Sequence, residues 1–511
     1  VRGKATLLAG LVVLAVAVPT TAAQAVDDVN TRKLEKAVTV NGILQHERVF
    51  QRIANNNGGT RASGTPGYGA SAAYVAQKLT AAGYDVSTQD FDFPYYEETA
   101  ASVLAEVSPD AAPIESATLD YSGSGEVTGT VVATTNVVIP ADPEPSSTSG
   151  CLPADFVPAS ETEPQVALIQ RGTCTFEVKI ANAVAAGYDA AVVFNEGNPG
   201  RTELLSGVTL GGPVSIPVVG VSYESGVALY EASLEGPVTV SVTTSTISET
   251  RTTTNVFGDS PQGDPNRVVV VGAHLDSVLA GPGINDNGSG SATILETAIQ
   301  LAKAGKKAQQ QVRFAFWGAE EEGLLGSTYY VDSLSDDELS TIYANLNFDM
   351  LGSPNYVRFV YDGDGSDDPE GLSGPPGSAQ IEALFTDYFS DRSLATAPTA
   401  FDGRSDYGPF IAAGIPAGGL FSGAEGIKTE EEAAIFGGTA GAPYDACYHQ
   451  ACDTITNLST AALNELGDAV AHSVDTLART KTGFYEDGSR MMRSPQLSAE
   501  DFQYSGSQLQ R

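Results

Sequence analysis

An α/β fold built on a largely parallel sheet, interrupted by a β-rich insertion, is what this sequence predicts, on three observations. After Asn255 the chain alternates strand, loop and helix, the pattern of a parallel sheet flanked by helices. Val268 to Val271 is an unbroken β-branched run, suited to a strand buried on both faces. Between about residues 100 and 250 the texture shifts to Thr, Val, Ser, Pro and Gly, as expected of a separate β-rich module with a little helix.

The elements follow in order. Arg2 and Lys4 precede an apolar run from Leu7 to Val18, and Ala23-Gln24-Ala25 offers a small-residue cleavage site. Residues 1–25 therefore read as a signal peptide, the run being too short to anchor in a bilayer. Ile43, Leu44, Val49, Phe50 and Ile53 recur at helical spacing. A second helix is expected over Ala70 to Ala82, stopped by Gly83, and a strand over Tyr84 to Phe93. In the insertion, Thr130 to Val138 and Val238 to Val242 read as strands, Phe176 to Ala186 as helix and Ala190 to Phe194 as strand. Beyond it come the strand at Val268, a helix over Ser289 to Lys303, a strand over Val312 to Trp317, a helix over Leu324 to Leu334 and a strand over Ile342 to Phe348. Leu463, Leu466, Val470, Val474 and Leu477 make one apolar helical face. The expected division is 1–25 signal peptide, 26–116 first part of the main domain, 117–247 insertion, 248–484 its larger part, and 485–511 a polar, flexible tail.

Composition limits partners. The 511 residues carry 63 acidic side chains against 27 Lys and Arg, a formal charge of −36. Such a surface repels phosphate backbones and anionic headgroups, so neither nucleic acid nor a membrane is expected as partner. Four cysteines in an exported chain suggest disulfides, and proximity favours Cys151–Cys174 and Cys447–Cys452. Metal ligation by these thiols is disfavoured, because no C-x-x-C spacing is present.

Two of the four histidines, His274 and His449, fall in loops beside carboxylates, whereas His46 and His472 lie in helical patterns that suggest structural roles. The run from Val268 to Asp276 ends a buried strand with His274 and Asp276 two residues apart. Gly283-Ile-Asn-Asp286-Asn-Gly-Ser-Gly290 then leads into a helix, where Asp286 or Asn287 could equally cap it. The next strand runs out into Glu320-Glu321-Glu322, and the one after it ends at Asp349. Parallel strands place such ends on one edge of a sheet, and crowded carboxylates repel unless cations neutralise them. His449 sits inside Cys447-Tyr-His-Gln-Ala-Cys452, a short loop that a disulfide would hold in one pose. His274, Asp286, Glu321, Asp349 and His449 thus form a candidate ligand set for two borderline metals, zinc favoured, with one carboxylate bridging. Glu320, not needed as a ligand, fits a general base, and Tyr448 could donate a hydrogen bond to a developing oxyanion.

GAHLDSV, GINDNGSG, FWGAEEEGLLGS, NFDM, GRSDYGPF and CYHQACDT, in this order, resemble the secreted bacterial double-zinc aminopeptidases of leucyl aminopeptidase type. The resemblance implies a three-layer α/β/α sandwich around a mixed, largely parallel sheet. It implies that His274 and Asp349 hold one zinc, Glu321 and His449 the other, and that Asp286 bridges them. It also implies Glu320 as general base, Tyr448 as oxyanion partner, and a cis bond between Asp286 and Asn287. Arg404 is implied to bind a substrate terminus, with Asp349 and Glu320 also facing the substrate. The insertion resembles a protease-associated domain through Arg171-Gly-Thr-Cys174-Thr-Phe176, Lys179, Ala181, Val184-Ala-Ala-Gly187 and Ile216-Pro-Val-Val-Gly220.

The expected protein is a secreted, extracellular monomer acting on peptides with free N-termini, preferably with large apolar first residues. It carries two zinc ions, with calcium left open beside them. A carboxypeptidase or glutaminyl cyclase of the same fold, and a receptor-like binding protein that has lost its metals, are the alternatives.

Overall fold

Alternation along the central strands buries both faces of one sheet, and that fixes the layers. The computed structural model describes residues 29–305, 307–367 and 373–481. The signal peptide expected over 1–25 and the tail expected over 485–511 lie outside the described residues. The main sheet is built from β1 (Asp85–Ser108), β2 (Thr239–Asp259), β3 (Asp264–His274), β4 (Gln310–Trp317), β5 (Ile342–Asp349), β6 (Phe359–Tyr361), β7 (Ala397–Thr399) and β8 (Ala417–Phe421). Their spatial order is β7-β6-β8-β5-β3-β4-β2, with β1 paired to β2. β3 runs parallel to β4 and β5, and β5 parallel to β8; β2 and β6 run antiparallel to β4 and β8.

Val269, Val271 and Ala273 of β3, with Val312, Phe314 and Phe316 of β4, enter one core. Helices Val40–Asn56, Pro66–Ala82, Gly290–Ala304, Ser378–Ser390 and Thr460–Arg479 cover that face. Val268, Val270, Ala315 and Trp317 point the other way, to Tyr330, Val331, Leu339 and Phe410. Each such burial stabilises by about 1.5–3 kcal/mol, so a slip of one residue would forfeit both cores together. The three-layer sandwich expected from the sequence is the fold observed.

Local chemistry sets the helix ends. Gly83 closes its helix with φ 94°, as expected, but the helix begins at Pro66 rather than Ala70. Thr65 supplies the cap, accepting the Tyr68 N–H, and proline fits the first turn because no hydrogen bond is lost there.

The insertion has its own cores, around Ile169, Val193 and Val218 on one side and Val166, Val192 and Val240 on the other. Its strands Gly125–Ala133, Gln165–Gln170, Ala190–Phe194 and Val218–Val221 pair in sequence, and helices Phe176–Ala185 and Tyr223–Glu235 pack with them. It is not detached, however. β1 and β2 pair antiparallel from Asp85 opposite Asp259 to Ser108 opposite Thr239. One end of β2 joins β4, and the other joins Gly125–Thr130, so a single ribbon runs through both modules. The strand expected over Thr130 to Val138 stops at Ala133, and the Thr134 N–H and hydroxyl both donate to the Leu168 carbonyl just beyond it. Cys151–Cys174 and Cys447–Cys452 are both bonded. Among the described residues no helix is long and apolar enough to cross a membrane.

Candidate metal centre

The carboxyl ends of β3, β4 and β5 lie side by side, and the five expected ligands meet beyond them. His274, the last residue of β3, is 1% exposed. Its Nε2 lies 3.3 Å from Asp286 Oδ1 and 3.4 Å from Asp349 Oδ1, and its Nδ1 is 3.5 Å from Asp276 Oδ1. Asp276 therefore stands behind the imidazole, at ion-pair distance from the nitrogen that faces away from the other acids. His449 Nε2 lies 3.0 Å from Glu321 Oε2 and 3.3 Å from Asp286 Oδ2. The two oxygens of Asp286 thus face different imidazoles. Glu320 Oε2 is 3.8 Å from His274 Nε2, on the Asp349 side.

Each side chain is aimed by its backbone. Asp286 sits in a buried turn over Ile284–Ser289 with a cis bond to Asn287, as expected. The capping alternative is resolved by a division of labour: Asn287 Oδ1 accepts the N–H groups of Gly290 and Met350, leaving Asp286 to the centre. Ala319, Met350 and His449 all have positive φ, which side chains with a Cβ rarely adopt, and each adjoins or is a site residue.

The donors present fit a metal. Asp349 Oδ2 accepts from Ser405 Oγ at 2.6 Å, whereas its buried Oδ1 receives no hydrogen bond and points at the His274 side. Imidazole nitrogens with carboxylate oxygens are the ligands of zinc rather than of calcium alone. Charges agree. Burial works against an imidazolium at His274, yet Glu320 and Asp349 hold its pKa well above the ordinary value. His449 is likewise raised to about 11, by Glu321 and Asp286 against burial. Burial also pushes Glu320 well above the usual carboxylate range. Positive charge is what this pocket demands.

Tyr448 stacks on His449 at 3.8 Å between ring centres, and its hydroxyl accepts from Arg404 Nη2 at 3.3 Å. Arg404 also pairs with Glu425 at 2.9 Å. Met350, Tyr361, Ala400, Phe421 and Ala424 wall the adjoining cleft. His46 and His472 are elsewhere, bonded to Tyr74 and Thr31, in the structural roles expected.

The profile of peptidase family M28 matches residues 255–474, and that of the PA domain matches 127–229. An aminopeptidase of Pseudomonas aeruginosa is 44% identical over 485 residues, spanning 94% of this chain and 88% of its own. The chain belongs to peptidase family M28. Among solved structures, this M28 peptidase is similar to the aminopeptidase from Aneurinibacillus sp. strain AM-1, at 26% identity and TM-score 0.62, covering 88% of this chain and 97% of that one. It is similar also to BSAP, a zinc aminopeptidase from Bacillus subtilis, at 26% identity and TM-score 0.57 with the same coverage.

Sequence reasoning missed the residues that hold this M28 site together. Arg61 is fully buried and donates to the carbonyls of Leu275, Pro282 and Gly283, ahead of Asp286. Asp453 accepts the N–H groups of Asn285 and Asp286, and Asp445 accepts from Asn285 Nδ2 and Cys447 N–H. These acids tie the disulfide loop of His449 to the turn of Asp286. Asp453 follows Cys452 directly, a signal that was available; Arg61, in a Gly- and Asn-rich loop, offered none.

Proposed function

We propose that this M28 peptidase is a secreted, two-zinc aminopeptidase that removes large apolar residues from peptide N-termini. The observation that carries the reading is Asp286, whose two oxygens face His274 and His449 separately, as a bridging carboxylate requires. His274 and Asp349 would hold one ion and Glu321 and His449 the other. When bound, such ions make water acidic enough to be deprotonated near neutral pH and polarise the scissile carbonyl.

The chain's own residues do the rest. Glu320, beside the set, takes the proton from the attacking water and returns it to the leaving amide nitrogen. Tyr448, its oxygen lone pair occupied by Arg404, keeps its hydroxyl proton for the carbonyl oxygen as negative charge gathers there. Asp349 and Glu320 present negative charge to a free α-ammonium, and Arg404 holds a polar end of the substrate. The apolar wall of Met350, Tyr361 and Phe421 suits a leucine-sized side chain. Two disulfides and the expected leader support an extracellular setting.

The test is hydrolysis of leucine p-nitroanilide against its N-acetylated form, with and without a chelator. Activity confined to the free amine, lost on chelation and restored by zinc, is expected. Equal cleavage of the acetylated compound, or release of residues from peptide C-termini, would overturn the reading.

A further inference from the structure

We propose that Asn255 is a positioning residue that locks the loop carrying Glu320 onto the sheet. The proposal rests on the reading of Glu320 as the proton carrier. Asn255 lies on β2, is fully buried and lines no part of the cleft. Its Oδ1 accepts the Gly318 N–H at 3.1 Å, and its Nδ2 donates to the Gly326 carbonyl at 2.8 Å. These are the two ends of the segment that bears Glu320 and Glu321. One amide group therefore closes the loop at its base, and a second donation to Gln89 Oε1 at 3.1 Å fixes the amide against β1.

The surroundings leave no slack. A Cβ at Gly326 would lie 2.2 Å from the Gly318 carbonyl oxygen and 2.5 Å from Asn255 Oδ1. Within the loop, Ala319 has φ 53°, and its N–H donates to Ser63 Oγ at 2.7 Å. Ser63 Oγ in turn accepts from Thr253 Oγ1 at 3.2 Å, two residues before Asn255 on the same strand. β2 thus grips the loop directly at both ends and through Ser63 at the strained residue just before Glu320. Without the Asn255 amide, the buried Gly318 N–H loses its partner and the Gly326 carbonyl, inside the helix Leu325–Ser333, keeps only its helical bond, so the loop relaxes. A carboxylate displaced by about 1 Å can lose on the order of 100-fold in rate.

The experiment compares zinc-loaded Asn255→Ala, Glu320→Gln and the double variant, measuring kcat, KM and zinc per chain. Asn255→Ala is expected to lower kcat by roughly 30- to 100-fold, with KM within about 3-fold and zinc content unchanged. In the Glu320→Gln background the same change should alter kcat by less than about 3-fold, because the group it positions is gone. Losses that multiply, a higher KM at unchanged kcat, or zinc lost in step with activity would overturn the proposal. If Asn255→Ala does not fold, Ser63→Ala takes its place, with roughly a 10-fold loss expected and the same test of non-additivity. Near-normal turnover by Glu320→Gln alone would sink the role of Glu320 instead, so the two failures are distinguishable.

Discussion

Replacing Arg61 by methionine should destabilise the main domain by about 4 kcal/mol. The guanidinium is fully buried and donates Nε to the Pro282 carbonyl at 2.8 Å, with further bonds to Leu275 and Gly283. Hydrogen bonds from a charged donor contribute roughly 1.5–3 kcal/mol each, so three give about 4.5–9 gross. Burial itself disfavours the cation, a penalty opposed by Glu47, Asp276, Asp453 and Asp286, and its removal returns part of the gross figure. What remains is the range seen when one partner of a buried charge set is removed, about 3–5 kcal/mol. Methionine fills similar space, so little of the loss comes from a cavity. Urea unfolding followed by tryptophan fluorescence reads it well, since Trp317 is the chain's one tryptophan and lies in the main sheet. Arg61→Lys should fall between, keeping the charge but not three directed bonds. A loss below about 1 kcal/mol, as at an exposed site, would refute the argument.

Three further outcomes are expected. Chelation should lower the melting temperature as well as abolish activity, because Asp286, Glu320, Glu321 and Asp349 would be left with only His274 and His449 to neutralise them; calorimetry with and without zinc measures it, and an unshifted transition would count against a metal at this site. In the insertion, burial lowers the Lys179 ammonium to about 8, so between that value and the ordinary 10.5 the unfolded chain binds a proton that the folded chain does not. Stability should therefore rise with pH across this window by up to about 3 kcal/mol relative to Lys179→Met, and parallel pH profiles of the two proteins would refute it. Gly419→Ala should lower expression or thermal stability sharply, since its Cβ would fall 1.8 Å from the Asn347 carbonyl oxygen on β5; unchanged melting would mean that β8 can shift away.

The centre of the sheet was legible because its residues carry a strong period. Val268–Val271 and Phe314–Trp317 are apolar on both faces, and only a doubly covered strand has that pattern. The candidate ligands were legible for a related reason: each ends or follows a strand or sits in a pinned loop, so the topology brings His274, Asp286, Glu321, Asp349 and His449 together. β8 was not. Its sequence, Ala-Gly-Gly-Leu-Phe, reads as a turn, yet Gly418 and Gly419 are there because Ile381 and the β5 backbone leave no room for a Cβ. Arg61 and Asn255 were hidden for another reason. Their partners are backbone groups remote along the chain, and no spacing rule registers such bonds.

The paired β1 and β2 make the protease-associated module a graft at the tip of an overgrown hairpin. Tyr96 stands directly opposite Ser248, so the chain leaves the catalytic body and re-enters it at neighbouring points. Excising everything between them would ask only for a tight turn to rejoin the stumps, without re-threading any other strand. The catalytic half is thus topologically closed without its passenger, whereas the passenger borrows its border strands from its host.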